Sequence, residues 1–236
     1  MFTKDIKNIL NYIGQLRIYS LLDFIVFSTA LTNNISTIIA MTSLWCSFVL
    51  YLEYIHKDHL RLPVSFLAPL TLFIIPFFFL PFWIPLLFGL FSFLYTKKKH
   101  SQFFGITAPL WRACINATLT IAFNPALTLI TVLIIFTRNF IADFRDAHYD
   151  KNNGTITLPV FLGYKKNAQW VFFAHPLSVM LSTLVWFHYS FINTSTLCLI
   201  LFTQAIVYVI TPRASTPAYL NFYKEYSHKE AVTYPK

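Results

Sequence analysis

The chain has 236 residues, of which 56% are hydrophobic and only 11% charged, with a mean hydropathy of +0.58. A soluble domain carries roughly 25% charged residues, so a water-soluble globule of this composition would have no surface for its Phe and Leu. The net charge of +9 is not a nucleic-acid signal, because the basic residues fall in short loops between apolar runs, where they set membrane topology. The bilayer is the natural solvent, and the length fits one domain, residues 1–236.

Residues 1–15 carry Lys4, Asp5 and Lys7 ahead of any long apolar run. They read as an amphipathic lead-in on the membrane surface rather than a cleavable signal. Apolar runs follow at 17–33, 35–55, 64–80, 82–96, 107–123, 125–144, 167–188 and 194–212. Residues 64–96 must be two helices, since one helix of that length would reach roughly 50 Å against a ~30 Å hydrocarbon core. Pro81, flanked by Pro76 and Pro85, marks the turn. The three cysteines, Cys46, Cys114 and Cys198, lie in apolar runs with no C-x-x-C pair and read as small packing residues.

The connections alternate. Asn33-Asn34, the Pro81 turn, Asn124-Pro125 and Asn193-Thr194-Ser195 are uncharged, whereas residues 56–61, 97–100, 143–166 and the tail 213–236 carry nearly all the charge. By the positive-inside rule the charged side is cytoplasmic. The expectation is an all-α polytopic bundle of about eight transmembrane helices. A central cavity would open to the cytoplasmic side, both termini would be cytoplasmic, and the protein would sit in the cell's inner membrane. A weak repeat of two four-helix halves is also visible, with Glu53 and His56 ending the second helix of the first half as Asp143 and Asp146 end that of the second.

The chemically informative segment is Asn139-Phe140-Ile141-Ala142-Asp143-Phe144-Arg145-Asp146-Ala147-His148-Tyr149-Asp150. On a helix Asn139, Asp143, Asp146 and Asp150 fall at about 0°, 40°, −20° and 20°, one narrow stripe. Carboxylates at i, i+3 and i+4 repel by a few tenths of a kcal/mol per pair in water, more in a drier site. A cation relieves this, and hard oxygen ligands suit Mg²⁺. Ionisable groups at membrane depth mark functional sites. Asn153-Gly154 then signals a tight turn, and Pro159 and Gly163 punctuate the entry to the next helix.

Asp143, Asp146 and Asp150, followed by Lys151, Thr157-Leu158-Pro159-Val160 and Gly163, resemble the second Asp-rich motif of the UbiA superfamily of intramembrane prenyltransferases, over about 25 residues. Leu94-Tyr95-Thr96-Lys97 and Pro109-Leu110-Trp111-Arg112 are similar to that family's central cytoplasmic loop, with Arg112 where a lysine is usual. The family's first motif corresponds to Leu52-Glu53-Tyr54-Ile55-His56, where Glu53 stands for the first acid, His56 for the second and Leu60 for the last. The family has nine helices where eight runs are found here. The resemblance implies Mg²⁺-dependent transfer of a prenyl group from a prenyl diphosphate to an aromatic or lipid acceptor. It implies Asp143, Asp146 and Asp150 as the catalytic metal-holding set, with Glu53 and His56 as further ligands. Arg112, Asn139, Arg145, Lys151 and Lys97 are then the expected substrate contacts. The competing readings are a catalytically inactive isoprenoid- or diphosphate-binding protein on the same fold and, less favoured, a transporter, whose charges would sit nearer mid-membrane.

Overall fold

The computed structural model describes residues 18–55, 64–164, 171–188 and 192–210. Within them lie ten α-helices and no strand: α1 (Ile18–Leu31), α2 (Ile35–Ile55), α3 (Leu67–Ile74), α4 (Trp83–Thr96), α5 (Gln102–Ile106), α6 (Ala108–Phe123), α7 (Thr128–Asn152), α8 (Leu158–Phe161), α9 (Val171–His188) and α10 (Thr194–Ile210). The all-α class holds. Each of the eight apolar runs contains one longer helix, while α5 and α8 are short elements that hydropathy alone did not single out. Two segments, Ile35–Ile55 and Pro125–Phe144, are long and apolar enough to cross a membrane.

Prolines and asparagines set the boundaries. Pro69, Pro85, Pro109 and Pro159 fall in the first turns of α3, α4, α6 and α8, where a missing N–H costs no helical bond. Asn34 and Asn193 accept hydrogen bonds from the amides of Thr37 at 3.2 Å and Thr196 at 2.8 Å, capping the starts of α2 and α10. Pro76 follows α3 in a 3₁₀ turn (Ile75–Phe78) and cannot donate to the carbonyl of Leu72. The hydroxyl of Ser43 on α2 donates to that carbonyl at 2.8 Å, and Ser47 donates to Pro69 O at 2.7 Å. The α2–α3 contact is thus stitched where proline opened the ladder.

Packing closes a ring. α1 lies on α2, α2 on α4, α4 on α6, α6 on α7, α7 on α9, α9 on α10, and α10 returns to α1, with α3 alongside α2. The core is dominated by aromatic and aliphatic side chains of the first half, among them Phe24, Met41, Leu44, Ile84 and Phe88, joined by Leu119 of α6. Gly89 of α4 lets α3 approach, because a Cβ there would lie 2.7 Å from the Phe73 ring. Outward, large apolar side chains such as Ile74, Phe78, Phe82, Leu129, Leu133 and Leu181 are exposed.

Candidate functional site

α7 follows the uncharged Asn124-Pro125 connection and continues through the acidic segment to Asn152, so Asn139, Asp143, Asp146 and Asp150 belong to one unbroken helix. Asp143 and Asp150 are both buried, 8% and 3% exposed, and atoms Asp143 Oδ2 and Asp150 Oδ2 are fully enclosed. Two enclosed carboxylates on one helix are not the solvated helix terminus that a loop of acids would give; a charge at such depth demands a counter-charge. Seven residues separate them, two turns or about 10.5 Å of rise. Asp146 occupies the intervening turn of the backbone; its side chain, like that of Arg145, lies outside the described set.

The helix ends in a tight reversal. The Gly154 amide donates to Lys151 O at 3.1 Å and the Thr155 amide to Asp150 O at 2.8 Å, with Gly154 at φ +70°, a conformation that favours glycine. The chain then passes through Thr155 and Thr157, both buried, into the single turn α8, which Gly163 closes at φ +90°. Tyr164 packs edge-on against Phe144 with ring centroids 4.7 Å apart. The segment after the acids therefore folds back beneath α7.

The connector from α4 to α6 covers this end. It runs through a 3₁₀ turn (Lys97–Lys99) and α5. Gly105 is the close-approach point: a Cβ there would collide with the Ile156 carbonyl oxygen and sit 3.1 Å from the carbonyl oxygen of Lys98. Lys98 reaches across, placing its Nζ 3.5 Å from Asp143 Oδ1, with both side chains largely buried. Lys97, expected as a substrate contact, lies over the ring of Phe93 on α4, 4.5 Å from the centroid. Its neighbour makes the contact because the 3₁₀ turn rotates successive side chains by about 120°.

Arg112, one turn into α6, is held by aromatic faces. Its guanidinium carbon lies 4.1 Å from the Trp45 ring centroid and 4.6 Å from that of Phe48, both on α2. Trp45 is itself stacked on Phe24 of α1 at 4.6 Å. Such cation–π contacts contribute about 2 kcal/mol when desolvated. Glu53, on the last turns of α2, is 6% exposed. His56 lies outside the described residues. Asn139 directs its Nδ2 to the Ile135 carbonyl at 2.8 Å, so its donor is turned onto its own helix. Lys151 is exposed.

The structure thus joins Lys98 to Asp143 and places Arg112 on α6, the helix packed most extensively on α7. It does not bring Lys97 or Lys151 onto the acids. Among the described residues no group of three or more His, Cys, Asp and Glu side chains gathers to hold a metal. Asp143 and Asp150 are enclosed oxygen donors of the type that suits a hard divalent cation, two helical turns apart. Sequence reasoning missed the Trp45–Phe48 pair. Its i, i+3 spacing opposite a lone arginine in an apolar run was the available signal. No family model matches the chain, and none of the curated proteins or solved structures matches it.

Proposed function

We propose that this protein is a multi-pass membrane prenyltransferase of the UbiA type. It moves a prenyl group from a prenyl diphosphate to an aromatic or lipid acceptor, with Mg²⁺ as cofactor. The observation that carries the reading is the pair of buried carboxylates, Asp143 and Asp150, on one apolar helix beneath a basic connector. The many exposed large apolar side chains support a membrane location, and the alternation of charged and uncharged connections supports eight spans with both termini cytoplasmic.

Asp146 and Asp150, with Asp143 assisting, would hold the ion, and Glu53 and His56 would contribute from the end of α2. A bound Mg²⁺ supplies neutralisation of the diphosphate leaving group. The chain's own residues do the rest. Lys98 compensates Asp143 and keeps the connector closed over the acidic end. Arg112 presents a fixed cation toward the leaving diphosphate, held by Trp45 and Phe48 so that little reorganisation is needed. The apolar walls around them keep water from an allylic cation.

The decisive experiment incubates the purified full chain with labelled prenyl diphosphates and Mg²⁺ and follows binding and diphosphate release. Wild type binds and releases, and Asp150→Ala does neither. Metal-independent binding, or full activity in Asp150→Ala, overturns the reading. A second reading, an inactive binding protein, is favoured by one observation: Leu60 and His56 stand where the first motif has acids. It requires binding without diphosphate release.

A further inference from the structure

A cavity of about 300 Å³ lies between the α1–α2 turn and the start of α10, at the seam where α10 returns to α1. It takes no part in the prenyl-transfer chemistry. Thr29, Thr32, Asn33, Asn193 and Thr196 line it, and none of the lining residues is charged. Leu31 and Ile192, both buried, give it an apolar side.

Local hydrogen bonds use only part of what the polar side chains offer. Thr29 Oγ1 donates to the Val26 carbonyl at 2.8 Å, so its lone pairs remain acceptors. Thr32 Oγ1 accepts from the Asn34 amide at 3.1 Å, and Asn193 Oδ1 accepts from the Thr196 amide at 2.8 Å. Those bonds leave the Thr32 hydroxyl proton and the Asn193 Nδ2 protons as donors. Asn33 and Thr196 add a carboxamide and a hydroxyl. Donors and acceptors are thus mixed around one small space that carries no charge.

We propose that this cavity binds the uncharged, hydroxyl-rich head group of a membrane lipid. A hydroxyl both donates and accepts, and so matches the mixed lining. An anion would find no cationic partner among the lining residues, and a hard cation would find no carboxylate. The volume is at the lower end of the range for small-molecule pockets, about 300–1,000 Å³, which is room for a head group and not for a whole lipid. The acyl chains have a surface of their own. Leu199, about one turn beyond Thr196 on α10, and Phe202 after it are both exposed. A lipid seated by its head would lay its chains there. Because the cavity bridges α1 and α10, the bound head group holds the ring of helices closed.

The inference rests on the membrane reading above and is independent of prenyl transfer. The purified full chain is held in a zwitterionic detergent that carries no sugar, and thermal unfolding is followed by tryptophan emission. Monogalactosyl diacylglycerol, phosphatidylglycerol with the same acyl chains, or free galactose is added. The galactolipid raises the melting temperature of wild type by about 5–11 °C at a hundredfold excess over its dissociation constant. Phosphatidylglycerol and free galactose do not. Thr196→Val and Asn33→Ala, two variants so that a folding defect in one leaves the other, lose most of that shift. Ser195→Ala, next in sequence but not lining the cavity, keeps it. No galactolipid shift in wild type, an equal shift with phosphatidylglycerol or galactose, or a full shift in both lining variants overturns the inference. A chain that stays folded and dispersed with no detergent overturns the membrane reading itself, so the two failures are told apart.

Discussion

Replacing Gly105 by alanine tests the proposed closure of the acidic end. The new methyl group would meet the Ile156 carbonyl oxygen and lie 3.1 Å from the Lys98 carbonyl oxygen. Both neighbours are backbone atoms, so no side-chain rotamer can relieve the contact, and α5 must lift or the 155–157 segment must shift. Overpacking of this kind costs about 1–3 kcal/mol. For a chain of this size 1 kcal/mol shifts the melting temperature by about 2–4 °C, so the expected loss is roughly 2–12 °C. Because Lys98 belongs to the same contact, the movement also draws its ammonium from Asp143, and affinity for a prenyl diphosphate falls in step. The assay is thermal unfolding of the detergent-solubilised protein, followed by tryptophan emission, with diphosphate binding measured on the same samples. Gln102→Ala, at an exposed position on the same short helix, controls for substitution near the site. A Gly105→Ala protein that melts with wild type and retains diphosphate affinity would falsify the claim that this connector is seated on the segment after Asp150.

Other perturbations follow from the same geometry. Ser43→Ala removes the donor to the Leu72 carbonyl that Pro76 leaves open, and should cost about 1 kcal/mol; the readout is the melting temperature, and restoring the ladder with Pro76→Ala should recover part of it. Arg112→Leu removes the cation between Trp45 and Phe48, with loss of prenyl-diphosphate binding of at least tenfold expected, while Arg112→Lys, lacking the planar group that stacks, should recover only part; equal affinity in all three proteins would remove Arg112 from the site. For topology, a reporter that fluoresces only in the cytoplasm should be bright when fused after residue 98 and dark when fused after residue 33. The reverse pattern, or brightness at both positions, would refute the eight-span arrangement.

Much of the secondary structure was legible in the chain because its signals are local. Apolar runs punctuated by Pro81, Asn124-Pro125 and Asn193 place the helices, since proline removes a backbone donor and asparagine caps whatever the fold around them. The reach of α7 through Asp150 was legible from the stripe, because the helical period alone puts Asn139, Asp143, Asp146 and Asp150 on one face. The α5 helix and the one-turn α8 were not. Each is a short segment with too few residues to express a period, and their places come from packing on one another.

The partners of the charges were the part only tertiary structure decided. Sequence showed three consecutive lysines and three aspartates but could not say which meet. The 3₁₀ turn sends Lys97 onto Phe93 and Lys98 to Asp143, a choice of one residue in register. Likewise, Arg112 and Trp45 are distant in sequence, and only the packing of α6 near α2 brings a guanidinium to an indole face. Helical period is a property of neighbours along the chain, and sequence carries it. Contact between distant side chains depends on how helices cross and how loops close, and that is settled only when the whole bundle packs.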